Sequence, residues 1–133
     1  MIAYIEGKIA HKEPTHVVID CHGVGYFIKI SLHTYTQVQN LESVKLHTYF
    51  QVREDAHILY GFFDIKEKNL FEHLLSVSGI GGNTALTMLS ATSAGELSSL
   101  IRTQNVLQLK RIKGIGQKTA ERIVLELKDK LPM

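Results

Sequence analysis

The sequence predicts a multi-domain α and β chain: a small closed β-barrel followed by an all-α domain. Three observations carry this reading. Apolar residues alternate with a period of two up to Phe63 and take helical spacing after it. About five strand-like runs fit into the first 60 or so residues, the size of a small barrel. The helical half contains a glycine-rich segment twice. The expected domains are 1–63 and 64–133, with Asp64 as N-cap of the first helix.

The first strand is expected over Ile2–Ala10, and the second is the β-branched run Val17–Cys21. In the third, Val24, Tyr26, Ile28 and Ile30 alternate with Gly25, Phe27 and Lys29. In the fourth, Val44, Leu46, Thr48, Phe50 and Val52 alternate with Lys45, His47, Tyr49 and Gln51. The fifth, Ile58–Phe63, is apolar on both faces. Turns are expected at Lys12-Glu13-Pro14, His22-Gly23 and Glu54-Asp55, with a short helix or turn within His33–Gln39. Five short strands with this spacing suit an OB-fold.

After Phe63, Leu70, Phe71, Leu74 and Leu75 follow helical spacing. Ser93-Ala94-Gly95-Glu96 has the capping-box pattern ahead of Leu97, Leu100 and Ile101. Ala120, Ile123, Val124, Leu127 and Leu131 form one helical stripe, with polar residues on the opposite face. No low-complexity linker separates the two halves.

Composition narrows the function classes. The 133 residues are 44% hydrophobic and 21% charged, a globular balance. No apolar run has the length of a membrane span, and the first residues lack a basic segment followed by an apolar one. Cys21 is the single cysteine, so an internal disulfide is excluded and a cytoplasmic location is expected. The net charge of +2 hides an asymmetry: residues 1–63 carry −1 and the rest +3. Arg102–Arg122 alone carries six basic residues and one acidic. Such a cluster points to an anionic partner, or to a solvated helix face.

The repeat sharpens that choice. Ser78-Gly79-Ile80-Gly81-Gly82-Asn83-Thr84-Ala85 recurs 35 residues later as Lys113-Gly114-Ile115-Gly116-Gln117-Lys118-Thr119-Ala120. Two glycines around a buried Ile make a tight turn between helices. The helix that follows begins with N–H groups that have no intrahelical partner, at the positive end of its dipole. That arrangement binds anions. Lys118 and Arg122 are expected to add charge at the first turn of the second copy, giving a clamp for backbone phosphate that reads no base. The alternative is a glycine-capped connection between packed helices. A dinucleotide fingerprint does not fit, because the glycines follow a helix and the third glycine is missing. No Walker A sequence occurs.

At these residues the sequence resembles a known family. The segments Ser78–Ala85 and Lys113–Arg122 look like helix-hairpin-helix motifs. With Gly23-Val24-Gly25-Tyr26, Val52-Arg53-Glu54-Asp55-Ala56 and Leu59-Tyr60-Gly61-Phe62, they resemble the RuvA family from Met1 to about Leu131. RuvA proteins are the Holliday-junction-binding subunits of the bacterial RuvAB branch-migration complex. The resemblance implies an OB-fold, two hairpins and a homotetramer, single or paired, that holds a four-way DNA junction open. It implies RuvB, a hexameric ATPase motor, as partner, with the resolvase RuvC as a further one. The family's acidic pin falls on Glu54 and Asp55. Its phosphate-binding positions fall on Gly79, Gly81 and Asn83, and on Gly114, Gly116, Lys118 and Thr119. The first hairpin has Gly82-Asn83 where the family often has Pro-Lys, so its clamp should be the weaker. Family members continue past the position of Met133 through a linker into a third domain that binds RuvB.

No catalytic residue, cofactor or metal is expected. His16, Cys21 and His22 are close in sequence, but no pair of histidines repeats a tight ligand spacing. Cys21 has no obvious base beside it, and Glu54-Asp55 lacks the further acids that a metal-dependent nuclease gathers. The expected function is therefore structure-specific binding of four-way junction DNA in recombination and repair, without chemistry by this chain. The rivals are a helix-hairpin-helix nuclease or glycosylase, and a protein-interaction adaptor that binds no DNA.

Overall fold

A computed structural model describes residues 1–132. Two compact units divide between Lys68 and Asn69. The first holds β1 (Tyr4–Glu13), β2 (His16–Cys21), β3 (Val24–Ile30), α1 (Leu32–Val38), β4 (Ser43–Val52) and β5 (His57–Phe62), and the first turn of α2 (Ile65–Leu75). The second holds the rest of α2, then α3 (Gly82–Ala91), α4 (Ala94–Arg102), α5 (Val106–Leu109) and α6 (Gln117–Leu127).

The five strands close into a barrel in the order β1-β2-β3-β5-β4. All pairings are antiparallel except β3 with β5, where Ile28 lies opposite Leu59 and Ile30 opposite Gly61. Alternation sends Val17, Ile19, Ile28, Ile30, Val44 and Leu46 inward, where they are buried with Ile5 and Leu59. A Cβ on Gly61 would come within 2.6 Å of the Ile28 side chain, so this strand position admits only glycine as packed.

The structure shifts one expected strand. β1 begins at Tyr4 and continues to Glu13, beyond the expected end at Ala10, and the turn is Pro14-Thr15. A register shift between Ile9 and His11 interrupts the alternation there, which hides the strand's second half from a period-two reading. At the other end of β2, His22 (φ 51°) and Gly23 (φ 94°) turn the chain as expected.

The start of α2 is fixed on the barrel unit. Asp64 Oδ1 accepts from the N–H of Lys66 at 2.8 Å, the N-cap expected there. Glu67, buried one turn on, accepts from the hydroxyls of Ser31 (2.7 Å) and Thr34 (2.8 Å). In turn the Thr34 hydroxyl accepts from the N–H of Phe63 at 3.2 Å. No pattern in the sequence marks this buried polar cluster.

Of the residues that the spacing selects, the helical unit buries Leu70, Phe71, Leu74, Leu97, Ile101, Ala120, Ile123, Val124, Leu127 and Leu131, while Leu75 and Leu100 are only half-buried. Half of the expected capping box forms. Ser93 Oγ accepts from the N–H of Glu96 at 3.1 Å, while the Glu96 carboxylate accepts from the Thr92 hydroxyl at 2.8 Å.

Candidate nucleic-acid interface

The duplicated segments fold alike. Val77 N–H donates to Leu74, and Ile112 N–H to Leu109, both at 3.1 Å. Ile80 N–H then donates to Val77 at 3.1 Å, and Ile115 N–H to Ile112 at 3.0 Å. After each turn the helix opens with Ala85 N–H on Gly81 and Ala120 N–H on Gly116, at 3.0 and 2.9 Å. Ile80 and Ile115 plug both turns into the core, 6% and 4% exposed.

Within each copy the two glycines have different reasons. Gly79 and Gly114 both have φ +90°, a conformation that a side chain strains. The turn itself requires them. Gly81 and Gly116 have φ −94° and −91°, extended backbone that any residue adopts. A Cβ there would meet nothing within 4 Å. Neither the backbone nor the packing of this chain calls for glycine at either position. What a Cβ would occupy is the open space in front of the helix start.

The helix caps separate the same two helices from the others. Ser31, Ser93 and Asn105 each place a side-chain oxygen on an N–H of the first turn of α1, α4 and α5, and Asp64 does so for α2. The N-caps of α3 and α6 are Gly81 and Gly116, and neither helix has a side-chain cap. The two starts left uncapped are the two that follow the glycine turns, so no side chain of their own N-cap occupies the place an anion takes at a helix start.

The expected side chains sit around these starts. Asn83, Lys118, Lys113 and Arg111 are exposed, and Thr119 is half-buried in the first turn of α6. Lys110 Nζ donates to Gln117 Oε1 at 3.1 Å, bringing another cation to the second helix start. Arg122 lies beyond the first turn of α6, and its guanidinium reaches the other hairpin. Nη1 donates to the Ser78 carbonyl at 3.2 Å and would lie 3.6 Å from a Cβ on Gly79. The first hairpin, which has Asn83 where the second has Lys118, thus borrows a cation from the second. The sequence gives no signal for this contact, which spans 44 positions.

Glu54 and Asp55 are exposed in the β4–β5 turn, which the Arg53 N–H closes on the Ala56 carbonyl at 2.8 Å. His16, Cys21 and His22 do not gather: His16 begins β2, while Cys21 and His22 lie at its far end. Cys21 Sγ donates to the Glu6 carbonyl at 3.2 Å. Among the described residues no helix is long and apolar enough to cross a membrane.

A closed five-stranded barrel followed by two glycine-turned helical hairpins defines a class, the proteins that join an OB-fold to a helix-hairpin-helix tandem. Comparison with known proteins narrows it. Residues 1–61 match the family described as RuvA N terminal domain, and residues 71–129 the SAM-like helix-hairpin-helix tandem. A relative in Cytophaga hutchinsonii, named Holliday junction branch migration complex subunit RuvA, is 55% identical over 98% of this chain and 66% of its own length. Relatives of the same name in Bacteroides fragilis and Flavobacterium psychrophilum are 54% and 50% identical over 98% of this chain, covering 65% and 68% of their own lengths. The chain belongs to the RuvA family, and it spans about two thirds of the length of these curated relatives.

Proposed function

We propose that this chain binds four-way (Holliday) junction DNA by its phosphate backbone and holds the junction open for branch migration in recombination and repair. The observation that carries the reading is the pair of uncapped helix starts, each behind a glycine that the fold does not require. Gly79, Gly81 and Asn83 form one clamp; Gly114, Gly116, Lys118 and Thr119 form the other. Arg122 serves both. Contacts of this kind position a duplex without reading its sequence, which suits a protein that must act wherever a junction arises.

Junction preference needs more than a grip on duplex arms. In this reading residues 1–63 assemble the chain into a homotetramer and carry the acidic pin, and residues 64–133 bind DNA. Fourfold symmetry brings Glu54 and Asp55 of each protomer to the centre of the DNA-binding face, where the carboxylates repel phosphate. Repulsion there is least for a substrate whose strands diverge around a central hole, so it selects against linear duplex. The chain itself performs no chemistry. The RuvB ATPase supplies the work through a domain outside these residues, RuvC resolves the product, and the complex acts in the cytoplasm.

The test is a gel-shift titration of a synthetic four-way junction beside a linear duplex, with Mg²⁺ present. Tight junction binding without cleavage supports the reading. Cleavage would make the hairpins the grip of a nuclease, and no binding to either DNA would leave a protein-interaction adaptor.

A further inference from the structure

The hairpin of β1 and β2 gathers a second set of functional groups. β1 extends past the register shift, so His11 and Glu13, two residues apart, share a face. Glu13 pairs directly with His16 across the Pro14-Thr15 turn, which puts His16 on that face too. His11 Nε2, Glu13 Oε2 and one nitrogen of His16 all lie within 4.8 Å of one another. The same carboxylate oxygen is 2.6 Å from His11 Nε2 and 3.6 Å from His16 Nε2.

The His16 ring is held in place. Its Nδ1 lies 3.0 Å from the Thr15 hydroxyl, and the ring stacks on Phe27 of β3 at 4.3 Å between centroids. These two contacts fix the ring with its Nε2 3.6 Å from Glu13 Oε2. Fixing the far nitrogen in this way is how proteins orient a metal-ligating imidazole.

We propose that His11, Glu13 and His16 form a site for a divalent transition-metal ion of the zinc type. Two imidazoles and a carboxylate are a donor set that Zn²⁺ takes with water in the fourth position. Bonds of about 2.0–2.1 Å in a tetrahedron place ligand atoms roughly 3.4 Å apart, close to the Glu13–His16 separation. The ion replaces the proton between His11 and Glu13, and His11, exposed at the surface, moves outward by under about 1 Å to admit it. Lys29 lies opposite His16 on β3 and opposes a second cation, which keeps the affinity below that of a closed structural site. Binding would staple the hairpin tip and stabilise the barrel in proportion to metal occupancy.

Titration of the chain with ZnCl₂, followed by calorimetry, tests this. The expected result is saturable binding of one Zn²⁺ per chain, weakened at least about tenfold by His11→Gln or by His16→Gln. His22→Asn, at the other end of β2, should leave it unchanged. The ¹⁵N resonances of the wild-type imidazoles, followed through the same titration, should move for His11 and His16 first, which needs no variant to fold. No stoichiometric binding, equal weakening by His22→Asn, or a response confined to other histidines would overturn the proposal.

Discussion

Arg122 of α6 donates from Nη1 to the carbonyl oxygen of Ser78, 3.2 Å away in the first glycine turn. One guanidinium thereby couples two hairpins that are 35 residues apart in sequence. Its other N–H groups remain available to a phosphate at the first helix start, where the chain itself supplies Asn83 and no cation. Arg122→Ala should lower stability by about 1 kcal/mol, since the bond is solvent-exposed. It should weaken binding to junction and duplex alike. Arg122→Lys should recover part of the affinity through its charge but not the stability, because the fork geometry is lost. Denaturant unfolding and fluorescence anisotropy on each variant check the two effects separately.

The two glycines of one hairpin should separate in a stability measurement. Gly114 has φ +90°, so Gly114→Ala should cost about 1–2 kcal/mol. Gly116 is extended with open space before it, so Gly116→Ser, which keeps a good N-cap residue, should lower stability by no more than about 0.5 kcal/mol. Urea unfolding of the pair tests this; equal losses would mean that the second glycine also serves the fold.

Lys118 is exposed in the first turn of α6, and its contribution should be that of a point charge near phosphate. Lys118→Ala should reduce affinity for junction and duplex by similar factors. It should also flatten the dependence of log K on log salt by about one for each engaged copy. An unchanged salt slope would remove Lys118 from the clamp.

Glu54→Gln with Asp55→Asn should tighten binding to linear duplex more than to junction. Like charges about 4 Å apart cost roughly 1 kcal/mol in water and more where water is excluded. Both residues are exposed in a turn, so the double variant should unfold like the parent. The readout is the junction-to-duplex affinity ratio at fixed salt. A ratio that stays the same or rises would make the pair an ordinary solvated turn.

Much of this could be read from the residues, for identifiable reasons. Ala120, Ile123, Val124 and Leu127 repeat at helical spacing, and all are buried. The two copies of Gly-Ile-Gly match in sequence and in each backbone hydrogen bond of the turn. What escaped depends on register or on distant partners. The end of β1 was hidden by the register shift at Ile9 and His11, and with it the neighbourhood of His11, Glu13 and His16. Glu67 is an acid in a first helical turn, and no pattern marks its burial with Ser31 and Thr34. The contact of Arg122 with Ser78 exists only once two hairpins pack together.

In the proposed reading DNA phosphate approaches the chain at the second glycine of each hairpin. The most direct test is the double variant Gly81→Val with Gly116→Val, measured by anisotropy on a four-way junction after circular dichroism has verified its fold. Charge-assisted hydrogen bonds are worth about 1.5–3 kcal/mol each. Blocking both helix starts should therefore cost at least about 100-fold in affinity, while helix content stays that of the parent. A folded variant that binds the junction as tightly as the parent would contradict the account.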